Sequence, residues 1–329
     1  MRTANPFVER AMNWLEQNSA LIGLVILVVA SALLVPNFAS SQNFSAILYQ
    51  YSIIGFLALG QLLVILTSGI DLSQGSLVAF TSIAVAVLMK KNGIVVSVAG
   101  GMAATTTLGM ISGLLVSRTK IPPFVVTLGM LGIARGLALL ISDARPVSVE
   151  IESFVAFGRA NWFGIPVSAI LLVVLSLALA YFLRNRKTGR YIFAIGGSEE
   201  SSRLTGIDVK NIKLLVYALS GLLTAIGGVI WTARLSSGSP IGANNYELES
   251  IAAVIVGGGS LFGGIGTISG TLVGVVLFGV INSVLNLMGI SPYWQGTIKG
   301  ILILLAVAFG QIRRSKTKKR VIATVEGAK

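Results

Sequence analysis

Polar residues interrupt this chain rarely, and the apolar runs between the interruptions are long. Ten runs stand out, near 18–36, 46–68, 71–89, 94–117, 122–142, 163–183, 213–233, 249–264, 266–288 and 294–311. Most reach the roughly 20 residues that a helix needs to cross a bilayer. The pattern predicts an all-α polytopic bundle of about ten spans with little soluble mass. Two places are irregular. Only Ser68, Gly69 and Ile70 separate the second and third runs, and the eighth is nearly continuous with the ninth. Broken or re-entrant elements are expected there.

Composition narrows the function classes. Charged residues make up 11% of the 329 positions, against about 25% in soluble domains. Cysteine and histidine are absent, which excludes disulfides, thiolate nucleophiles, imidazole bases and thiol- or imidazole-based metal sites. The net charge of +13 raises nucleic acid as a ligand, but the basic residues sit between and after the apolar runs, where the positive-inside rule accounts for them.

That rule also orients the chain. With the N-terminus in the cytoplasm, the inner side holds Arg2, Arg10, Arg118, Lys120, Arg184, Arg186, Lys187, Arg190, Arg203, Lys210, Lys213 and the tail "RRSKTKKR". The outer side holds Lys90, Lys91, Arg145 and Arg159, while Arg135, Arg234 and Lys299 fall within or at the ends of spans. Both termini are expected inside, with the basic tail attracted to anionic lipid. The first apolar run lacks a clear cleavage site after it and reads as a retained span.

Polar groups inside the oil are the candidate chemistry. "LTSGIDLSQGS" places Asp71 beside Thr67, Ser68, Ser73, Gln74 and Ser76. A carboxylate there caps a helix after a break at Gly69, or lines a solute path at that break, and the two readings are compatible. Gln50, Gln61, Asn282, Asn286 and Gln295 are further candidates for a polar lining. Asn282 and Asn286 stand four apart on one helix face. Tyr293 and Trp294 fit an interfacial aromatic belt or a surface for a sugar ring.

The stretch "AVIVGGGSLFGGIGTISGTLVG" has the glycines of a phosphate loop without its Gly-Lys-Ser/Thr, so any ATPase lies on another chain. Gly257, Gly258, Gly263, Gly264, Gly266, Gly270 and Gly274 instead predict a tight reversal between closely packed helices, as Gly109 and Gly113 predict close packing. "KTG" at 187–189 lacks the partners of a penicillin-binding site, and "NFS" at 43–45 is an uninformative glycosylation match.

The polar connector "RNRKTGRYIFAIGGSEESSRLTGIDVKNIK" joins the sixth and seventh runs on the inner side. It carries regularly placed apolar anchors, Tyr191, Ile192, Phe193, Ala194, Ile195, Leu204 and Ile207. Ser198 is placed to cap a short helix with early acidic residues, and Gly206 to end it. The outcome is a short helix across the membrane face, either docking into a cytoplasmic partner or lying inert on the surface.

"TGRYIFAIGGSEESSRLTGI" closely resembles the cytoplasmic signature of the ribose-type sugar-importer permeases of ATP-binding-cassette systems, within the branched-chain amino acid/ribose permease superfamily. "VILTSGIDLSQGSLVA", "YELESIAAVIVGGGSLFGGIGTISGTLVG" and "INSVLNLMGISPYWQ" are similar to that family's early, late and C-terminal signatures, in the family order between about residues 15 and 311. Ser198 replaces the usual asparagine and Gln74 the usual valine. The resemblance implies a multi-pass bacterial inner-membrane permease, non-catalytic and binding no cofactor itself. Its partners would be a second permease copy, a cytoplasmic ATPase using ATP and Mg, and a periplasmic or lipid-anchored sugar-binding protein. Residues 1–312 would form one transmembrane domain containing a coupling segment at 184–212, with 313–329 as the tail.

By motif, Gly189, Arg190, Ala194, Gly196, Gly197, Ser198, Arg203, Leu204, Gly206 and Ile207 would couple to the ATPase. Gly69, Asp71, Leu72, Ser73, Gly75 and Ser76 fall on the early signature. Glu247, Glu249, Gly257, Gly258, Gly263, Gly264 and Gly266 fall on the late one. The implied solute is a monosaccharide, ribose or a related pentose first, with galactose, galactofuranose, xylose, arabinose, allose, inositol and autoinducer-2 carried by similar permeases. An ion-coupled secondary carrier and a membrane scaffold are the rival classes. The first lacks matched inverted halves, and the second predicts that changing Gly197 or Arg203 leaves uptake unchanged.

Overall fold

The computed structural model of the protein describes residues 19–291, 293–301 and 304. The N-terminal charges Arg2 and Arg10 and the tail 313–329 lie outside the described residues, as does half of the tenth expected run. The architecture is all-α, with four strands of two residues each among the described residues.

The first helices are α1 (Ser19–Leu34), α2 (Ser41–Leu66), α3 (Gln74–Met89), α4 (Ile94–Arg118) and α5 (Pro123–Ser142). A surface excursion follows, of β1 (Val147–Ser148), α6 (Glu152–Arg159), β2 (Asn161–Trp162) and β3 (Ile165–Pro166). Then come α7 (Val167–Asn185), α8 (Lys187–Gly197), α9 (Glu199–Leu204) and α10 (Val209–Leu235), β4 (Ser237–Gly238), α11 (Tyr246–Val256) and α12 (Ile268–Leu287). Residues 293–301 are helical again.

Six of these helices, α2, α4, α5, α7, α10 and α12, are long and apolar enough to cross a membrane. The chain is a polytopic membrane protein. Its exposed surface is itself apolar, as at Val95, Met110 and Ile111 on α4, Leu128 and Ile133 on α5, and Val174 and Leu177 on α7. Such surface is stable only where the solvent is lipid or another protein.

Helix α2 is the centre. Every residue from Tyr51 to Leu66 is buried, as expected of a helix apolar all round. Its start is set by Ser40, whose hydroxyl accepts the Asn43 N–H at 3.2 Å. Helix α10 packs against α2, α3 and α4. It approaches α4 closely because Gly109 faces the Gly221 backbone and Gly113 faces Leu214, the small-residue packing that holds helices together in lipid. Helix α12 packs against α2, α11 and α1.

The structure departs from or refines the sequence reading in four places. The run at 249–264, expected as a span or as a broken or re-entrant element, is an 11-residue helix, about 16 Å long, followed by a glycine-rich turn. Helix α3 begins at Gln74 rather than 71, because residues 67–73 run as a turn followed by irregular chain. The expected run at 163–183 begins as a helix at Val167, the preceding residues forming the β2–β3 hairpin that pairs Asn161 with Pro166. Helix α6 and β1 lie between the fifth and sixth runs, and β4, which pairs with β1, between the seventh and eighth, where the apolar pattern predicts no element.

Candidate functional site

The break between α2 and α3 starts where Val64 O accepts the N–H groups of Thr67 and Gly69, at 3.1 and 3.0 Å, and the Thr67 hydroxyl at 2.9 Å. Ser68 then takes a left-handed conformation with φ +61°. Asp71 follows, fully enclosed. Its Oδ1 accepts the Ser73 N–H at 3.0 Å and the Ser73 hydroxyl at 2.6 Å, and its Oδ2 accepts the Ser220 hydroxyl at 3.0 Å.

Gln61, with its amide oriented by these neighbours, donates to Asp71 O at 3.0 Å and accepts the Asp71 N–H at 3.2 Å. Asp71 therefore does not cap α3 in the expected way. The N-cap residue of α3 is Ser73, and its side chain makes no capping bond. The carboxylate instead closes a turn onto Ser73 and ties it to α10.

Gln74 extends the network. Its Nε2 donates to Leu57 O at 3.0 Å and to the Ser220 hydroxyl at 3.2 Å. The Ser250 hydroxyl on α11 lies 2.7 Å from Gln74 Oε1 and 2.8 Å from Glu247 O. Asp71, Ser73, Gln74, Ser220 and Ser250 are all at most 1% exposed, so breaking any of these bonds would strand a buried polar group at about 1–3 kcal/mol. Ser76 is buried in the same first turn of α3. The network joins α2, α3, α10 and α11 at one point.

The two asparagines lie elsewhere. Asn282 is buried on α12 with no partner for its Oδ1 among the described residues. Asn286 is exposed and accepts the Gln295 amide at 2.8 Å. The structure does not bring them to Asp71. Tyr293 and Trp294 are strongly exposed.

A second cluster lies beyond the α2 terminus. The Ser68 hydroxyl is 2.9 Å from Phe262 O and 3.4 Å from Gly196 O, and Gly264 N donates to Leu66 O at 3.1 Å. A Cβ on Gly196 would overlap Leu66 O and the Gly264 backbone. Three separate stretches of sequence, 66–68, 196 and 262–264, thus meet backbone to backbone.

Along the connector, Gly189 packs on the Leu183 backbone and Ile192 and Ile195 are buried. Ser198 caps α9 by accepting the Ser201 N–H at 3.2 Å, and Gly206 ends that turn at φ +84°. Arg190, Ala194, Gly197, Ser198, Arg203, Leu204 and Gly206 face outward, while Ile207 is half-buried. Tyr191, Ala194 and Leu204 thus do not anchor inward as expected. The buried residue of the six-residue α9 is Ser202, and the inward turn of α8 is occupied by Ile192 and Ile195.

The late glycines divide by role. Gly257 abuts the Gly270 carbonyl and Gly274 the Ala253 carbonyl, so α11 and α12 touch through their backbones. Gly263 and Gly264 belong to the junction with Gly196, and Gly266 lies against Leu62. Gly258 has open space where a side chain would stand and a φ of +93°. Its role is the turn rather than packing.

Sequence reasoning did not find Ser220 or Ser250, single hydroxyls in apolar helices that carry no local motif. It also left Lys299 unpaired, although its ammonium bonds Glu249 at 2.6 Å with both side chains largely enclosed. A lone lysine in an apolar run was the available signal.

Residues 43–307 match the family described as the permease component of branched-chain amino acid transport systems. The chain belongs to that permease family. Among its relatives, the ribose import permease protein RbsC of Escherichia coli (strain K12) is 40% identical over 299 residues, covering 89% of this chain and 93% of the relative. The ribose import permease protein RbsC of Bacillus subtilis (strain 168) is 41% identical over 290 residues, 87% and 90% of the two chains. The L-arabinose transport system permease protein AraH of Escherichia coli (strain K12) is 37% identical over 308 residues, 93% of each. No solved structure matches the chain. This is a membrane permease homologous to sugar-importer components.

Proposed function

We propose that the permease is the membrane-spanning subunit of an ATP-driven importer carrying a monosaccharide, a pentose such as ribose first. Two copies would enclose the path, with a cytoplasmic ATPase beneath and a sugar-binding protein delivering solute from outside. In this reading the chain crosses about ten times with both termini in the cytoplasm, and residues 184–212 are the coupling segment. Gln61, Asp71, Ser73, Gln74, Ser76, Asn282 and Asn286 supply polar groups along or beside the path. The permease does no bond chemistry. It is a conformational equilibrium biased by nucleotide and donor protein.

The observation that carries this reading is the backbone junction of Leu66, Ser68, Gly196 and Gly264. An outward-facing connector sits directly on the end of the central helix, five residues from Asp71. Displacement of α8 by a motor below would pass into the polar core without an intervening flexible side chain. The ribose and arabinose names of the relatives support the pentose class.

Reconstitution in vesicles with its ATPase and binding protein tests the reading, scoring uptake across a sugar panel. ATP-dependent uptake strongest for a pentose is expected. Full uptake with no ATPase present would sink it.

A further inference from the structure

Arg135 is the charged residue of α5 placed deepest within its apolar length. It stands thirteenth of the twenty residues of that helix, about 18 Å from the first and 10 Å from the last. It is half-buried. One nitrogen, Nη1, donates to both Pro240 O at 2.7 Å and Gly242 O at 2.9 Å. The Nε and Nη2 groups have no protein acceptor among the described residues.

Glu247 is close in the fold, since its carboxylate and the Ala243 carbonyl flank the same point beside Gly75, one residue from the Gly242 carbonyl that Arg135 holds, but the two do not close into an ion pair. The ion pairs among the described residues are Arg203–Glu200, Lys213–Glu199 and Lys299–Glu249. The Glu247 side chain lies against Gly75, and its carbonyl faces the Ser250 hydroxyl that holds Gln74. Arg135 is therefore fixed to the turn that leads from β4 into α11, and Glu247, on the first turn of α11, links that region to the polar core.

Its surroundings on α5 are open. Gly129, Gly132 and Gly136 have nothing within 4 Å of where a side chain would stand. A guanidinium at this depth is costly in hydrocarbon, so the N–H groups left over by Pro240 and Gly242 must meet water, a polar ligand or a polar partner surface, even though Leu128 and Ile133 of the same helix expose apolar side chains. The three N–H donors that remain on Nε and Nη2, with the Glu247 carboxylate nearby, combine opposite charges. That combination suits a neutral ligand presenting adjacent hydroxyls, which donate to the carboxylate and accept from the guanidinium. An anionic solute would be repelled by Glu247 and Asp71.

Resting on the transport reading above, we infer that Arg135, positioned by the Pro240 and Gly242 carbonyls, contacts the hydroxyl groups of a neutral polyol as it passes the α5 face, with Glu247 as the opposing acceptor. The contact contributes to specificity within the membrane, in addition to whatever selection the donor protein makes.

Vesicles holding the complete transporter would be supplied with saturating D-ribose or its 2-, 3- and 5-deoxy analogues. Turnover ratios are compared between wild type, Arg135→Gln and Arg135→Lys, so that the donor protein's own preference cancels. For at least one analogue, wild type is expected to discriminate by about 10-fold or more. Arg135→Gln should bring that ratio within about twofold of one, and Arg135→Lys should fall between. Equal slowing of every sugar, or unchanged ratios, overturns the assignment while leaving transport intact. Absence of ATP-dependent uptake in wild type overturns the transport reading, and this inference with it.

An independent reporter needs no change at Arg135. The chain has no cysteine, so Gly132→Cys provides a single thiol. A water-soluble thiol reagent should modify it in vesicles, more slowly when ribose is being transported. Val174→Cys on the exposed apolar side of α7 should stay unreactive. Equal inertness of both thiols overturns the proposal.

Discussion

The core around Asp71 and the junction around Gly196 lie at two ends of the same short break, yet they are built from opposite materials. The core is held by side chains. Asp71, Ser73, Gln74, Ser220 and Ser250 exchange bonds among four elements, all enclosed. The junction is held mainly by main chain, with Gly264 N on Leu66 O, no room for a side chain at Gly196, and the Ser68 hydroxyl as its one side-chain bond among those given above. Side chains can rotate and exchange partners, whereas two backbones at van der Waals distance transmit displacement or separate. The core therefore suits a place that must alter its pairing, and the junction suits a place that must move as one piece.

Gly196→Val tests the second half most severely. The added side chain meets the Leu66 carbonyl and the Gly264 backbone, neither of which is a flexible end. The cost expected is about 3 kcal/mol from overpacking, seen as a lower melting temperature in detergent. ATP-dependent uptake should fall to background. Uptake within about twofold of wild type would mean that the junction transmits nothing.

Asp71→Ala comes next. It leaves the Ser73 N–H, the Ser73 hydroxyl and the Ser220 hydroxyl without their acceptor in a dry site. Stability should fall by about 2–3 kcal/mol. Asp71→Asn keeps one acceptor oxygen and should recover roughly half of that. Equal melting temperatures for the two variants would show that the carboxylate's bonds do not hold the break together.

The same contrast explains what was legible in the sequence. Long apolar runs announced the helices, because lipid allows only elements that satisfy their own backbone. Asp71 stood out as a carboxylate between two such runs. Ser198 and Gly206 were readable because capping is local, set by residues three or four positions apart. Partners from distant helices were not. Nothing around Ser220 or Ser250 distinguishes them from other hydroxyls in apolar helices, and only folding places them against Gln74.

The eighth run read as a span because hydropathy counts the apolar residues of "SLFGGIG" as membrane-crossing. Gly263 and Gly264, at φ +86° and +70°, instead turn the chain against Gly196. Leu204 read as an anchor because it is apolar, yet a helix of six residues with its buried side at Ser202 leaves it 78% exposed. Spacing alone cannot assign a face to so short an element.

Ser198→Ala belongs to the exposed side of the connector and should be milder. Removing the bond to the Ser201 N–H takes about 1 kcal/mol from the local stability of α9. Faster amide exchange at Ser201 and Ser202 is expected, with the melting temperature of the whole chain hardly moved. A large global change would mean that α9 is part of the core.

Gly197→Ala should be the smallest change for the chain itself, and sharpens the comparison most. Gly197 is next to Gly196, but nothing lies within 4 Å of where its side chain would start, and its φ is not in the left-handed region. The isolated permease should melt within the roughly 0.5 kcal/mol typical of unstrained surface substitutions. A methyl there can matter only to something that docks from outside. If Gly197→Ala leaves the melting temperature alone but lowers ATP-dependent uptake, the added methyl is obstructing the ATPase, and α8 has one face for the bundle and one for the motor. If uptake is untouched as well, the outward face of the connector at Gly197 is not where force enters. The backbone junction would then have to be driven from Arg190 or Arg203, the cations exposed on either side of it.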